Sequence, residues 1–314
     1  MSARATIVVP TLGRSPDLEL VAERLRAESA EAAAELVWVA PEGLSPPGAA
    51  GAHERLVRYA GRAGFARAAN LGVATAIAAG PVALVNDDAR VEPGWLARLL
   101  AALDADPRAG AVQGVNLQFA QPGLADGCGL GWNRDWQAVQ IGRDAPPPEG
   151  APFEVFGVSA TAALYRRAAL ADVAREGGGV FDERLGSWYE DVELAVRLRA
   201  RGWRALCVPT ARALHRGSAT GATMPFARAR LLARNRWLVV ARLLGRRWPA
   251  ALPRMAVREL RVVGRLVAAG EPTAALATVA GGLASIVHLP RFARAGPPLV
   301  AAAELERLRV GSLA

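Results

Sequence analysis

The sequence contains no lysine, so all 38 basic side chains among its 314 residues are arginines. Against 29 acidic residues they leave a net charge of +9. An arginine-rich surface attracts phosphate groups, whether these belong to lipid head groups, nucleotides or nucleic acid. Codon usage in a GC-rich genome explains the same absence without any phosphate partner, and the abundance of alanine and glycine agrees with that explanation.

Cysteine is also scarce, since only Cys128 and Cys207 occur, far apart and without metal-type spacing. The sequence therefore predicts no disulfide framework and a reducing, cytoplasmic compartment. No signal peptide is recognisable, because Met1 to Arg4 lead directly into a strand-like stretch. Long apolar runs are few. The best, residues 272–290, is diluted by small and hydroxylic residues, so we expect a buried or interfacial helix rather than a membrane span.

The first two-thirds of the chain alternates short apolar strands with helical stretches. Strands are predicted at residues 6–9, 35–40, 55–60, 82–85 and 111–119, and helices at residues 17–34, 64–80 and 94–106. This alternation predicts parallel pairing with crossover helices, and hence an open α/β sheet. Residues 120–150 are rich in glycine and proline, and we expect them to form a long functional loop or insertion.

The strand "VALV" runs directly into Asn86, Asp87 and Asp88. In open α/β sheets ligands bind beyond the carboxyl ends of the strands, which is where these residues fall. Asn and Asp also favour turns and helix caps, so a purely structural role is one interpretation. Two adjacent like charges need compensation, however, and a divalent cation bound by hard oxygen ligands would supply it.

The segment "YEDVELAVRLRARGW" predicts a helix that begins near Asp191. One face carries Asp191, Leu194, Ala195, Leu198 and Gly202. A second row, which we expect to be solvated and joined by acid-to-base pairs, contains Glu190, Glu193, Arg197 and Arg201. Asp191 at the start of the apolar face is either a helix cap or a functional acid, and the neighbouring Trp188 and Tyr189 favour a substrate pocket.

Six segments, taken in order, resemble the family 2 glycosyltransferases, the inverting enzymes of the GT-A fold. Within them the similarity is to the rhamnosyltransferase-like group that builds bacterial polysaccharides. The segments are "TIVVPTLGR", "GFARAANLG", "ALVNDDARVEPGWL", "GVSATAALYRRAAL", "GGVFDERLGSWYEDVELAVRLRARGWR" and "VPTARALHRGSAT". They cover about residues 5–220, and "RNRWLVVARLL" at residues 234–244 resembles the segment that follows the catalytic domain in this group.

The resemblance implies an α/β, Rossmann-like GT-A fold with a mixed, mostly parallel sheet flanked by helices and a C-terminal helical extension. It implies a catalytic domain at residues 1–222, with a nucleotide-sugar half at about 1–119 and an acceptor half at about 151–222. Residues 223–314 would form an arginine-rich amphipathic helical region.

Site residues follow from the same resemblance. Asn86 to Asp88 occupy the family's DXD position, so Asp88 and Asn86, with His215, are expected to hold Mg²⁺ or Mn²⁺, although His215 is also interpretable as an ordinary surface or core residue. Asp191 falls at the position of the catalytic base. The nucleotide sugar is expected to contact Pro10, Thr11, Gly13, Arg14, Glu42, Arg67, Asn70 and Asp87. The acceptor is expected to contact Trp188, Tyr189 and Glu190.

Two departures refine the expected activity. Where the family has a pattern like Asp-Asn-Gly-Ser, this sequence has "VAPEGLS", in which only Glu42 could contact the nucleobase. The Gln-x-x-Arg-Trp motif of processive synthases is absent. The resemblance therefore implies transfer of one sugar, with inversion, from a nucleoside diphosphate sugar to a lipid-linked or glycan acceptor in cell-envelope polysaccharide or glycoconjugate synthesis. Deoxythymidine diphosphate rhamnose is the donor that the group favours.

Residues 226–268 repeat arginine every three or four positions among apolar residues. Such helices lie peripherally on an anionic membrane surface, here the inner face of the cell membrane, or cover the catalytic domain with their arginines in water. A basic nucleic-acid-binding protein is an alternative, but aromatic residues are not interleaved as a stacking platform and no nucleic acid is expected. A nucleotidyltransferase would carry a glycine-rich phosphate loop, and "PTLGRSP" is poor in glycine. The sequence does not determine the oligomeric state.

Overall fold

The structure is a computed structural model that describes residues 3–47, 53–174, 179–217, 224–293 and 296–310. Four strands of the N-terminal half pair in parallel in the order β4-β1-β2-β3. They are β1 (Ala5–Pro10), β2 (Ala34–Pro41), β3 (Glu54–Tyr59) and β4 (Val82–Val85). The helices that accompany them are α1 (Leu18–Glu31), α2 (Gly64–Thr75) and α3 (Trp95–Ala105).

Parallel strands of this kind are apolar along their whole length because helices cover both faces of the sheet. In β1, Val8 contributes to the buried cluster on one face, whereas Ile7 and Val9 contribute to the cluster on the other. All four residues of β4 are buried as well. The main core therefore lies on both sides of the sheet.

The second half of the chain extends the same sheet. Strand β11 (Ala162–Tyr165) is antiparallel to both β4 and β6 (Ala109–Gln118), and β6 is parallel to β12 (Arg204–His215). The remaining strands of the ten-stranded sheet are β5 (Ala89–Val91), β7 (Ala125–Gly127) and β10 (Phe153–Val155). The helices here are α4 (Arg167–Asp172) and α5 (Glu190–Ala200). The prediction of a mixed sheet, mostly parallel among its long strands and flanked by helices, is confirmed.

Residues 120–150 are more ordered than the sequence predicts. Besides β7, they contain β8 (Leu130–Trp132) and β9 (Ala138–Gln140), which form a separate two-stranded sheet. Strands of three residues carry too short an alternation to be recognised, which is why the sequence indicated only a loop. The helix predicted at residues 64–80 ends earlier, at Thr75.

The C-terminal helices are α6 (Pro225–Leu244), α7 (Leu252–Ala268), α8 (Pro272–Phe292) and α9 (Ala302–Arg307), with a 3-10 helix at Gly245–Ala251. Leu238 and Leu243 of α6 share a buried cluster with Phe156 and Val192 from the preceding part of the chain. The C-terminal helices are therefore joined to the sheet by a common core. The boundary predicted at residue 222 lies outside the described residues, so that division stays a prediction.

The arginines of α6 differ from the sequence expectation of a helix with its cations in water or lipid. Arg236 is 2% exposed and pairs with Glu259, and Arg242 is 8% exposed and pairs with Glu193. Periodic spacing of arginines looks the same whether they face water or buried carboxylates, so the sequence alone could not reveal these pairs.

Candidate active site

Strands β1 and β4 are parallel neighbours, so the loops after them meet at one edge of the sheet. Thr11 follows β1 and donates a hydrogen bond from Oγ1 to Asp87 Oδ2 at 2.6 Å. Burial raises the pKa of Asp87 to about 6, and the adjacent charge of Asp88 acts in the same direction, whereas the Thr11 hydroxyl opposes the shift. Asp87 is therefore used to order the loop after β1. Its predicted contact with a nucleotide stays a prediction.

Asp88 and His215 come together although they are far apart in the sequence. His215 is the last residue of β12, and its Nε2 lies 3.4 Å from Asp88 Oδ1. Its Nδ1 lies 2.8 Å from Asp126 Oδ2, on the other side of the ring. Burial alone would lower the pKa of His215, but the two carboxylates outweigh it and raise the pKa to about 9. The imidazole is therefore held between two acids in a buried site.

Asp126 of β7 is a site residue that the sequence analysis missed. Although burial raises a carboxyl pKa, its contact with His215 keeps the pKa of Asp126 below the ordinary value. A carboxylate that accepts from Nδ1 fixes the orientation of the imidazole and leaves Nε2 to face a ligand. The signal was absent because Asp126 lies in "LADGCG", inside a segment that the sequence indicated only as a loop.

The donor set tests whether a divalent metal fits. His215 Nε2 is buried and makes no hydrogen bond, and it faces a hard carboxylate oxygen, which suits a cation between Asp88 and His215. Among the described residues, no group of three or more His, Cys, Asp or Glu side chains is arranged to hold a metal ion alone. Asp126 does not complete such a group, because it contacts the opposite nitrogen of the ring. The remaining ligands would come from a bound diphosphate and water.

Asp191 lies in the first turn of α5, where helix geometry favours an ionised acid. Its Oδ2 accepts from the backbone N–H of Ala160 at 3.3 Å, and its Oδ1 accepts from Val192 at 2.8 Å. Burial raises the pKa of Asp191, and these hydrogen bonds, with one from Ser159, oppose the shift. The side chain is partly exposed, so a substrate can reach it.

Residues 159–161 connect Asp191 with the carboxyl end of β4. Ala160 binds the Asp191 carboxylate, and the carbonyl of the next residue, Thr161, accepts from Asn86 N–H at 2.8 Å. Ser159 N–H donates to the buried amide of Gln113 at 2.7 Å, which anchors the segment on β6. The stretch "GVSAT" belongs to one of the segments that carry the family resemblance, but the sequence alone indicated no role for it. In the structure it joins the two groups of acids.

The solvated row predicted on α5 is wrong. Glu193 is 0% exposed and forms ion pairs with Arg197, at 2.9 Å, and with Arg242 of α6. Glu190 is 7% exposed, and only Arg201 lies on the surface as expected. The helix is covered on a second side by α6, a contact between distant segments that helical periodicity does not encode.

Glu190 and Asp191 form a coupled pair of acids. Burial, followed by the neighbouring Asp191 charge, raises the pKa of Glu190 well above its ordinary value, and its Oε2 has no hydrogen-bond partner. Asp191 has three donors and is partly exposed, whereas Glu190 is buried with one oxygen unpaired, so the surroundings favour the charged form more at Asp191 than at Glu190. The hydroxyl of Tyr165 lies near both acids, whose charges, after burial, raise its pKa further.

Asn70 has a structural role that the sequence did not predict. Its Oδ1 accepts from Val180 N–H at 3.0 Å and Phe181 N–H at 2.8 Å. Its Nδ2 donates to Phe181 O and to Glu183 Oε1, both at 3.0 Å. These bonds use the whole capacity of the amide, so Asn70 fastens residues 180–183 to α2. Its contact with a nucleotide stays a prediction.

Tyr189 is also more buried than an acceptor contact requires. It is 8% exposed, lies in the cluster beneath α6, and its hydroxyl accepts from Ala138 N–H at 3.3 Å. The ring supports the chain around it, whereas Trp188 is partly exposed. Contacts of Trp188 and Glu190 with an acceptor stay predictions.

Other residues that were predicted to contact the nucleotide lie at the expected edge of the sheet. Gly13 has φ +66°, and a Cβ there would lie 2.5 Å from Leu44 Cδ1, so glycine lets the loops after β1 and β2 touch. The predicted residues of these loops and of α2 that are partly or fully exposed are Pro10, Gly13, Arg14, Glu42 and Arg67. Asn86 is partly exposed too. Their contacts with a ligand stay predictions.

Comparison with solved structures identifies the fold. Two solved structures share the fold: GalNAc-T7 with UDP, GalNAc and Mn²⁺, and the mannosyltransferase PcManGT from Pyrobaculum calidifontis with GDP-Man and Mn²⁺. The first has a TM-score of 0.59 and 13% identity, over 79% of this chain and 49% of its own. The second has a TM-score of 0.52 and 18% identity, over 91% of this chain and 88% of its own. The fold is the GT-A fold of glycosyltransferases.

Over part of the chain, sequence similarity identifies a more specific class of relative than the fold does. The sequence is 32% identical over 148 residues to the N-acetylglucosaminyl-diphospho-decaprenol L-rhamnosyltransferase of Mycobacterium tuberculosis, in strains CDC 1551 / Oshkosh and ATCC 25618 / H37Rv. The alignment covers 43% of this chain and spans 46% of the relative's length. No family model matches the sequence. The resemblance to rhamnosyltransferase-like glycosyltransferases is thus confirmed for the aligned part.

Proposed function

We propose that the protein is an inverting glycosyltransferase that moves a single sugar from a nucleoside diphosphate sugar to a lipid-linked or glycan acceptor. One observation carries the proposal. Residues 159–161 hold the candidate base, Asp191, at one end and the loop of Asp88 at the other. These two backbone contacts, one residue apart, support a site in which the candidate base and the candidate metal ligands act on the same substrate.

Asp88 and His215 would hold the divalent metal, Mg²⁺ or Mn²⁺. A metal there would stabilise the negative charge that develops on the departing nucleoside diphosphate. Asp126 would keep the His215 ring oriented through Nδ1. The presence of Mn²⁺ with both structural neighbours supports this assignment.

Asp191 would accept the proton of the acceptor hydroxyl as that oxygen attacks the anomeric carbon. The carboxylate is partly exposed and is held by backbone donors that favour its ionised form, the form that a general base needs. A single base on the face opposite the leaving group produces direct displacement, and therefore inversion of the anomeric configuration. Burial disfavours charge on Tyr165 and on Glu190, so both would limit competing charge beside Asp191.

The relative from Mycobacterium tuberculosis is named for an L-rhamnosyl donor and a diphospho-decaprenol acceptor. We infer that this chain uses a similar chemistry, with deoxythymidine diphosphate rhamnose as the first donor to test. The experiment is a panel of nucleoside diphosphate sugars with Mg²⁺ or Mn²⁺, in which binding and slow donor hydrolysis are measured. Failure of every donor, together with salt-sensitive binding of duplex DNA, would favour a nucleic-acid-binding protein instead.

A peripheral position on an anionic membrane is part of the proposal, and the inner face of the cell membrane would place the protein beside a lipid-linked acceptor. The C-terminal helices expose large apolar side chains that form what we call the apolar surface. Its members are Val257, Leu260 and Val267 of α7 and Leu276, Val279, Leu283, Ile286 and Val287 of α8. Exposed Arg254, Arg261 and Arg265 flank it on α7. This combination fits an interfacial helix pair.

Helix α8 is long and apolar enough to cross a membrane, with a mean hydropathy of 1.4 over its most apolar window. Its small residues, including Ala277, Gly281 and Ser285, are buried, and a Cβ on Gly281 would lie 2.2 Å from Arg230 O of α6. One side of α8 is therefore committed to protein contact. This supports the interfacial helix that the sequence predicted.

A further inference from the structure

The turn that leads into α5 has an unusual backbone. Gly186, Trp188 and Tyr189 have φ values of 75°, 64° and 71°, in the left-handed region. Glycine adopts this conformation freely, but two consecutive aromatic residues do so only when their surroundings hold them. Tyr189 directly precedes the helix, and Asp191 is its second residue. The turn therefore determines where α5 begins and, with it, the position of the Asp191 carboxylate.

A single amide from the C-terminal region holds this turn. Asn235 of α6 is 0% exposed, and its Nδ2 donates to the carbonyls of Leu185, Ser187 and Trp188 at 3.0, 3.1 and 2.7 Å. Carbonyl oxygens only accept hydrogen bonds, so the Nδ2 end of the Asn235 amide, and not Oδ1, must face the turn. Its Oδ1 accepts from Arg234 Nε at 2.8 Å, so no group of the side chain is left unsatisfied.

Other contacts from α6 converge on the same turn. The Arg234 guanidinium donates to the carbonyls of Arg184 and Leu185 at 3.0 and 2.9 Å. The turn also contacts the start of α2 directly, where Gly186 O accepts from Ala66 N–H at 2.9 Å. It is thus fixed between the helix that carries the candidate base, the C-terminal helix, and a helix of the N-terminal half.

We propose that Asn235 is a positioning residue for the transfer reaction: by clamping the left-handed turn at residues 185–189 it fixes the direction of Asp191 toward the acceptor. The inference rests on the proposed function, because it takes Asp191 to be the base. Asn235 contacts neither the loop of Asp88 nor His215. Its loss should therefore impair the chemical step and leave donor binding intact, since misplacing a reacting group by about 1 Å costs roughly 100-fold in rate.

The test is Asn235→Leu, which keeps the branching of the side chain at Cγ but removes every donor. We expect kcat to fall about 10- to 100-fold, with the dissociation constant of the donor changed less than about two-fold. Asn235→Ser keeps one donor, so its kcat should lie between those of the unmodified protein and Asn235→Leu. This variant preserves the test if the leucine variant does not fold. Assays are run well below each variant's Tm, with kcat, acceptor KM and donor affinity measured on the same preparation.

Val239→Ala is the matched control. Val239 lies one turn further along α6, is 0% exposed and belongs to the same apolar cluster, but its side chain has no hydrogen-bonding group, so Val239→Ala lowers Tm while the hydrogen bonds from Asn235 to the turn remain. The inference is overturned if Asn235→Leu retains the kcat of the unmodified protein, or if Val239→Ala loses as much kcat at an equal loss of Tm. A different result, in which the unmodified protein transfers no sugar from any donor, would count against the proposed function instead.

Discussion

Glu190 and Asp191 are consecutive acids that the fold places in different surroundings. Asp191 is partly exposed and accepts from backbone donors, whereas Glu190 is buried with one oxygen unpaired. We expect Asp191→Asn to lower kcat about 10²- to 10⁴-fold, the usual loss for a general base, with little change in donor affinity. Transfer rate and donor affinity measured on the same variant separate this outcome from a structural one.

Glu190→Gln is the control for that substitution. Burial disfavours charge on Glu190 and raises its pKa, and glutamine keeps the shape of the side chain without a charge, so the effect should be mild. The reason is not the solvated position that helical periodicity predicted for Glu190, because the residue is buried. Should Glu190→Gln abolish transfer while Asp191→Asn retains it, the roles of the two acids are reversed.

The raised pKa of Asp191 predicts the pH dependence of both rate and stability. Because only the ionised form accepts a proton, kcat should rise with pH along an acid limb whose midpoint lies above the ordinary aspartate value, about 3.9. The limb belongs to the coupled Glu190 and Asp191 pair. A profile of kcat against pH from about 4 to 8 checks it. A midpoint at or below the ordinary value contradicts the assignment.

For stability the sign follows from the same shift. A carboxyl group whose folded pKa is raised contributes stability below its unfolded pKa and loses that contribution as pH rises through the folded pKa. Asp191→Asn should therefore raise Tm at neutral pH, and the difference should vanish in acid, where the aspartate is protonated in both states. A lower Tm at pH 7 would show that the hydrogen bonds from Ala160 and Val192 outweigh the burial of charge.

Asp126 offers a test of the candidate metal site that does not depend on turnover. Asp126→Asn removes the carboxylate that orients His215, and we expect the apparent affinity for Mn²⁺, measured through metal-dependent donor binding, to fall about 10- to 100-fold. Asp144→Asn, an exposed acid in the same insertion, should leave the affinity unchanged. Equal affinities in both variants would remove Asp126 from the site.

At the scale of elements, α5 and α6 are held together by buried charge. Arg242 of α6 contacts Glu193 of α5 and Asp182, all of them almost fully buried. Arg242→Met leaves carboxylates without that cation, and breaking such a buried pair typically costs about 3 to 5 kcal/mol. Urea unfolding measures it. The same substitution at exposed Arg246 should cost less than about 0.5 kcal/mol, and a similar value for Arg242 would contradict a structural role.

The sequence predicted the elements that carry a regular pattern. Strand β4 and helix α3 were located almost residue by residue, and Asp88, His215 and Asp191 were selected from local motifs. What it could not supply were contacts between segments distant in the chain. Asp126 beside His215 and Asn235 beneath Trp188 depend on the tertiary arrangement, because neither has a local pattern that reveals its partner.

At the scale of the whole molecule, some arginines lie in buried ion pairs and others are exposed, and the net charge is +9. We expect the protein to co-sediment with vesicles that contain phosphatidylglycerol and less with neutral phosphatidylcholine vesicles, because the apolar surface and its flanking arginines act together. Binding should weaken with added salt. Co-sedimentation across vesicle composition and ionic strength is the measurement.

Leu283→Ser with Ile286→Ser should reduce that binding several-fold while donor hydrolysis in solution is retained, because both side chains are more than half exposed and distant in sequence from the candidate site. Ala277 and Ser285, on the buried side of α8, are unsuitable for this purpose since they contact protein. Vesicle binding that is unchanged in the double variant would assign membrane attachment, if any, to another part of the chain.

The three residues that join Asp191 to the loop of Asp88 have a thermodynamic consequence. Ala160 and Thr161 are consecutive, so a ligand that shifts one contact displaces the other unless the backbone between them absorbs the change. Occupation of the acceptor side and of the donor side should then be energetically coupled. Whatever factor an acceptor contributes to donor affinity, a donor must contribute the same factor to acceptor affinity, because linkage is reciprocal. The size of that shared factor would then depend on this short stretch of backbone.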